Sequence, residues 1–130
     1  MSSARLSHRH FTLLVAVLLF VGACFPSVCV AGDYYAAIAF SFKTTHYGYS
    51  YGKTSRADAE RLAIANTKAR DAKIVVVARN AWCALVQSKR GNGAGTGVSV
   101  NKSEAIAAAY RNCPDVGGKK LTTVIFAGQR

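Results

Sequence analysis

Two stretches of the chain carry the same punctuation, and that constrains the fold more than any other feature of the sequence. Tyr47–Ala63 reads as a run of alternating residues, a turn and a helix start, and Gly93–Ala109 reads the same way. Ser55 and Asn101 stand where a helix N-cap is wanted, each followed three residues later by an acid, Asp58 and Glu104, at a common offset of 46. A cap oxygen takes a free backbone N–H, and the acid answers a further N–H and the positive end of the helix dipole. The shared pattern points to one unit used twice. Letter identity at that offset is low, with Lys43/Lys89, Ala59/Ala105, Ala63/Ala109 and Asn66/Asn112 among the few positions that coincide. The duplication therefore rests on order, length and capping, with the paired alanines serving close approach of a helix to a sheet.

Each unit reads strand, strand, helix, strand. In the first, Ile38, Phe40 and Phe42 alternate with Ala37, Ala39 and Ser41, the period of a strand over Tyr35–Phe42. Lys43–His46 turns the chain into Tyr47–Tyr51, a helix follows over Ser55–Ala69, and the β-branched run Lys73–Ala78 suits a central strand. Asn80 is the residue of its turn most tolerant of a left-handed conformation. The second unit runs through strands Ala81–Gln87 and Gly93–Val98, a helix over Lys102–Asn112 stopped by Pro114, and a closing strand Thr122–Ala127. The expected fold class is α+β: a duplicated ββαβ unit (34–78 and 81–127) forming a largely antiparallel sheet with two helices on one face. Several strands are apolar on both faces, so either the sheet curls on itself or part of its second face meets a partner.

Residues 1–31 have the layout of a secretory signal peptide. Arg5, His8, Arg9 and His10 give a basic start, and the apolar run Phe11–Cys24 falls short of the roughly 20 residues a membrane span needs. Pro26 breaks the run, and Cys29-Val30-Ala31 offers small residues ahead of a cut after Ala31. The alternative export signal is lipidation of Cys24 in Val21-Gly22-Ala23-Cys24. The expected location is secreted or periplasmic, or anchored as a lipoprotein through Cys24. Arg5 and Arg9 leave with the leader, so 17 basic residues become 15 against 6 acidic ones, a net charge of +9 on residues 32–130. A chain of that length makes one domain. Its charge favours anionic partners, although the basic residues are scattered and also serve solubility.

Two cysteines remain after the leader, Cys83 and Cys113. Ala105, Ala109 and Cys113 fall on one helical stripe that faces a sheet, and Cys83 lies in an apolar strand. In an oxidising compartment a disulfide between them would contribute on the order of 3 kcal/mol.

Tyr35-Ala-Ala-Ile-Ala-Phe-Ser, Tyr47-Gly-Tyr-Ser, Ser55-Arg-Ala-Asp-Ala-Glu, Ile74-Val-Val-Val and Asn80-Ala-Trp-Cys-Ala-Leu, in that order, resemble a family of small exported bacterial proteins. It is the family catalogued as domain of unknown function 4189. The resemblance covers nearly all of residues 32–130 and implies export and this duplicated unit, with no activity attached. Cys83 and Cys113 stand where the family commonly has cysteines, whereas Thr67 occupies a position where a helix-end cysteine is frequent.

No constellation for catalysis stands out. His46 is the one histidine after the leader and lies in a turn without an evident partner; a small hydrolase built on His46 is the alternative reading. Metal ligands are too few and too scattered for a site, and no cofactor is implied. The run Gly91-Asn-Gly-Ala-Gly-Thr-Gly lacks the spacing of a nucleotide loop and reads as a closely approached strand. At the offset of 46 its alternating glycines Gly93, Gly95 and Gly97 fall where the first unit has Tyr47, Tyr49 and Tyr51. Those three tyrosines share one side of a strand. Core or cross-strand packing is the expectation for the row; exposed beside Lys53 and Arg56, it would suit stacking on sugars or bases. The candidate binding surface is Tyr47, Tyr49, Tyr51, Lys53 and Arg56. The expected function is a non-catalytic binding module for a protein or anionic envelope partner, with inhibition of another exported protein a variant of the same reading. No specific nucleic-acid partner is expected, and a homodimer through an open sheet face is a further option.

Overall fold

The computed structural model describes residues 32–90 and 92–128. The expected leader and cut after Ala31, Cys24 and Gly91 lie outside the described residues. The elements run β1 (Tyr35–Phe40), β2 (Tyr47–Lys53), α1 (Arg56–Thr67), β3 (Lys73–Arg79), β4 (Trp82–Ser88), β5 (Ala94–Ser99), α2 (Lys102–Asn112) and β6 (Lys119–Phe126). The fold is α+β, and its order is ββαβ followed by ββαβ.

The strands divide into two antiparallel three-stranded sheets, ordered β2-β1-β3 and β5-β4-β6. That division answers why the central strands are apolar on both sides. Ala37 and Ala39 of β1 pack on Ala59 and Ala63 of α1. Ile38 and Phe40 point the other way, into a cluster with Val76, Cys83, Leu85 and Ile125 that joins the two sheets. In β4, Ala84 and Val86 meet Ala105 and Ala109 of α2, while Cys83 and Leu85 face the first sheet. Each sheet thus carries its own helix outside and shares one core inside. The helices cover opposite outer faces instead of one common face, so no face of β1 or β4 stays open. Large side chains fill the space between sheets and small ones line the helix contacts, because helix backbones come close to the strands there.

The two units correspond more closely in space than in letters. Ile38 pairs with Val76 and Leu85 with Thr123, and both ladders shift register at the next residue, between Ile38/Ala39 and Leu85/Val86. These strand positions are related by an offset of 47, whereas the caps Ser55 and Asn101 differ by 46. The extra residue is Gly52. The β1–β2 ladder shifts register between Tyr35 and Ala37, and Gly52, at φ 66°, takes the left-handed conformation that glycine adopts without strain. The β4–β5 ladder is unbroken.

Local signals account for most boundaries. Asn80 has φ 49°, and its side chain accepts from the Tyr34 N–H and donates to Asp33. Ser55 caps α1 through the Asp58 N–H at 3.4 Å. Asn101 makes no such side-chain cap; instead the Ser99 hydroxyl donates to Glu104 at 2.8 Å and accepts from the Asn101 N–H. The Ser99 hydroxyl, with the Asn101 side chain adding to it, holds the Glu104 carboxyl below its ordinary range. β1 ends before Ser41 because that hydroxyl turns to Asp71, donating at 2.7 Å.

The cysteines are not paired. Cys83 and Cys113 are free, buried thiols. Cys113 does lie on the sheet-facing stripe of α2, but it packs with Ala84 and Val86, whereas Cys83 sits between the sheets. One step along a strand reverses the side chain, so the two sulfurs occupy opposite faces of β4 and a bond between them is precluded by the fold. Burial pushes the Cys83 thiol up to about 12, which keeps it protonated and unreactive at neutral pH. Residues 32–130 unfolded without reductant are therefore expected to take up two alkyl groups by intact mass, with Cys83 unmodified in the native state. A chain that stays unmodified after unfolding would restore the disulfide.

Candidate binding surface

β2 is an edge strand whose two sides have different tasks. Gly48 and Ser50 are buried toward α1. A Cβ at Gly48 would overlap the backbone of Ala63 and Thr67, and the Ser50 hydroxyl donates to the Ala59 carbonyl. The intervening Tyr47, Tyr49 and Tyr51 are 38%, 40% and 59% exposed, so the row is surface and not core. The rings form a ladder: Tyr47–Tyr49 and Tyr49–Tyr51 have centroids 6.5 and 6.4 Å apart and planes within 17° and 18° of parallel. Such spacings fall in the range of favourable aromatic pairs, about 4.5–7 Å, so each ring restrains the next.

Pairing of Tyr49 with Ile38 and Tyr47 with Phe40 places the row on the inner side of its sheet, at the edge where the second sheet does not cover it. An open groove of about 820 Å³ runs along it, lined also by Lys53, Leu62 and Asn66. Asn66 donates to the Tyr49 carbonyl at 2.9 Å, which occupies a backbone acceptor that the strand edge would otherwise offer. Asn112 does the same for Thr96 of β5 at 2.8 Å, the physical reason for the shared asparagine. Lys53 is half-buried in the groove wall. Arg56 does not join this group: it pairs with Glu60 at 2.8 Å and lines a separate groove with Tyr35 and Ile74.

The turn before the row is held by Ser41 and Asp71. The Ser41 hydroxyl accepts from the Thr44 N–H and hydroxyl while donating to Asp71. That bond, with help from the Lys43 N–H, holds the Asp71 carboxyl below its ordinary range. His46 is exposed, its carbonyl accepting from the Ser41 N–H at 2.9 Å. Its imidazole makes no hydrogen bond among the described residues, and the nearby Ser41 hydroxyl is buried and committed to Asp71.

The glycine run needs a correction. Gly95 and Gly97 correspond to Gly48 and Ser50, not to the tyrosines, because the strand offset is 47. A Cβ at Gly95 would overlap Ala109 and Cys113, and one at Gly97 would overlap Ala105. The glycines are where α2 rests on β5, in a different sheet from β2. The counterparts of Tyr47, Tyr49 and Tyr51 are Ala94, Thr96 and Val98, and the aromatic row belongs to the first unit alone.

Sequence reasoning missed a second aromatic group beside the row. Trp82 and Phe126 meet with centroids 5.1 Å apart, and the Lys102 ammonium sits 5.3 Å from the Trp82 ring. Together with Tyr51 and Val124 they line a groove of about 580 Å³. The Gly52 N–H donates to the Ala127 carbonyl at 3.1 Å, tying the end of β2 to the residues after β6. Three-strand pairing brings Trp82 opposite Phe126, a proximity that spacing along the chain does not disclose.

No curated protein and no solved structure matches the chain. The order of strands, helices and motifs has its counterpart in one family, described as a domain of unknown function (DUF4189), which matches residues 35–127. The chain belongs to that family.

Proposed function

We propose that this protein is an exported, non-catalytic binding module whose working surface is the tyrosine row of β2, engaging a protein or anionic component of the cell envelope. The export half rests on the leader over residues 1–31, with a soluble secreted or periplasmic product after a cut near Ala31 or a lipoprotein anchored at Cys24. The binding half rests on a single observation: three aromatic rings, restrained by one another, stand exposed on a strand whose opposite side is buried. Large rigid rings give contact area at small entropic cost on binding, and isolated exposed aromatics would not be aligned this way.

Charge supports the anionic partner. The six side-chain carboxylates of residues 32–130 each have a partner: Asp33 with Arg79, Asp58 with Arg61, Glu60 with Arg56, Asp71 with Ser41, Glu104 with Ser99 and Asp115 with the Gly118 N–H. None lines the groove along the tyrosines. A variant with Tyr47, Tyr49 and Tyr51 replaced by alanine is expected to lose salt-sensitive retention on envelope material that the parent protein shows. Equal retention by the two proteins counts against the reading.

A further inference from the structure

Tyr51 lines both the groove along the tyrosine row and the groove of Trp82, Val124 and Phe126. The two grooves adjoin at that ring, with Tyr47, Tyr49 and Tyr51 along the first and Phe126 and Trp82 in the second, and together they make one aromatic track. We infer that this track binds an extended, unbranched polysaccharide that carries carboxylates at intervals. The inference rests on the binding-module reading and names its ligand class.

Three observations select that occupant. The walls are aromatic, and the C–H faces of pyranose rings pack on such surfaces while their hydroxyls stay in water, as an open groove requires. The strand edge is unsuited to an added peptide strand, since the Tyr49 carbonyl already accepts from Asn66 and backbone pairing is what gives strand addition its affinity. The charge in the track is positive and sparse. Lys53 has no carboxylate within ion-pair distance among the described residues, Lys102 stands over Trp82 at its far end, and no acid lines either groove. A nucleic-acid strand bears a phosphate at every nucleotide and is matched by a series of cations. Here three tyrosines share one lysine, which suits a polymer with a charge on only some of its sugars.

Trp82 is the one tryptophan of the chain and lies in the track, so its emission reports occupancy. Titration of the purified protein uses a hyaluronan octasaccharide, which carries a carboxylate on every second sugar, beside a neutral chitin oligosaccharide of similar length and a thymidine oligonucleotide. Equilibrium dialysis provides a second readout. Hyaluronan is expected to saturate the change in emission and to bind at least fivefold more tightly than either comparison ligand. Tyr49→Ala weakens it at least tenfold, Tyr49→Phe restores most of the affinity, and Lys53→Gln weakens it while flattening its salt dependence. Far-ultraviolet dichroism identifies any variant that has failed to fold, and Tyr49→Phe and Lys53→Gln keep the test open in that case. Absence of saturable binding by both readouts, equal affinity for the neutral glycan, tighter binding of the oligonucleotide, or indifference to Tyr49→Ala in a folded protein would each overturn the inference. Envelope retention that depends on the tyrosines without hyaluronan binding removes the glycan assignment and leaves the binding-module reading standing; loss of both removes both.

Discussion

Gly95→Val is expected to destabilise the protein by about 3 kcal/mol, at the upper end of what overpacking costs. A Cβ there would fall on the Ala109 carbonyl and the Cys113 N–H, and within 2.6 Å of the Asn112 carbonyl carbon. These are backbone atoms at the end of α2, so no side-chain rotation relieves the overlap and the helix must lift from β5. Lifting it exposes Ala105 and Ala109, which are fully buried now. A domain of this size has roughly 5–15 kcal/mol of stability in total, so the urea midpoint should fall by about 1–3 M at the m-values usual for small proteins. Gly52→Asn is the control. Gly52 has open space around its missing Cβ, and its left-handed backbone suits asparagine better than other substitutions. A Gly95→Val shift below about 0.5 kcal/mol, the size of an ordinary surface change, would mean that α2 does not rest on β5 as described.

Phe40→Ala should cost about 3–5 kcal/mol, the range for removing a fully buried aromatic ring. Phe40 is 1% exposed and belongs to the cluster that joins the two sheets. Its ring also meets the edge of Phe42 at 4.9 Å with planes 87° apart. Phe42 itself is 43% exposed, so Phe42→Ala loses little beyond the ring pair, about 1 kcal/mol. The contrast between the two phenylalanines, read from urea unfolding, reports whether the sheets meet through β1. Similar small losses at both positions would place Phe40 at the surface and separate the sheets.

The alternation of small and large residues in β1 and β4 was legible in the sequence as strand period, and the alanine stripes of the helices were legible as sheet contacts. What covered the second apolar face was not, because periodicity reports that a face is buried without naming its neighbour. Two errors of parity have one origin each. The expected disulfide placed Cys83 on the α2 side of its strand, yet that side belongs to Ala84 and Val86, and a single step inverts the assignment. The match of the glycine run to the tyrosines carried the helix offset into the strands, where Gly52 inserts a residue and shifts the offset by one. The glycine in Tyr51-Gly52-Lys53 was the available signal for that bulge. Of the proposed surface, the tyrosine row could be found from alternation along one strand; Lys53 lies past the bulge at Gly52, where it pairs with Tyr35 on the α1 side of the strand, and Arg56 was drawn off by Glu60, a helix neighbour four residues away. Trp82 and Phe126 come together through long-range pairing alone.

In the proposed function, β2 divides into a side that folds the protein and a side that binds. The most direct measurement is made on the variant with Tyr47, Tyr49 and Tyr51 all replaced by alanine, recording urea unfolding and retention on envelope material from one preparation. The predicted result is a cooperatively folded protein, weakened by about 1–3 kcal/mol through loss of two ring pairs, with retention abolished. A variant that fails to fold would show the row to be core, and a folded variant that is retained like the parent would show that binding lies elsewhere.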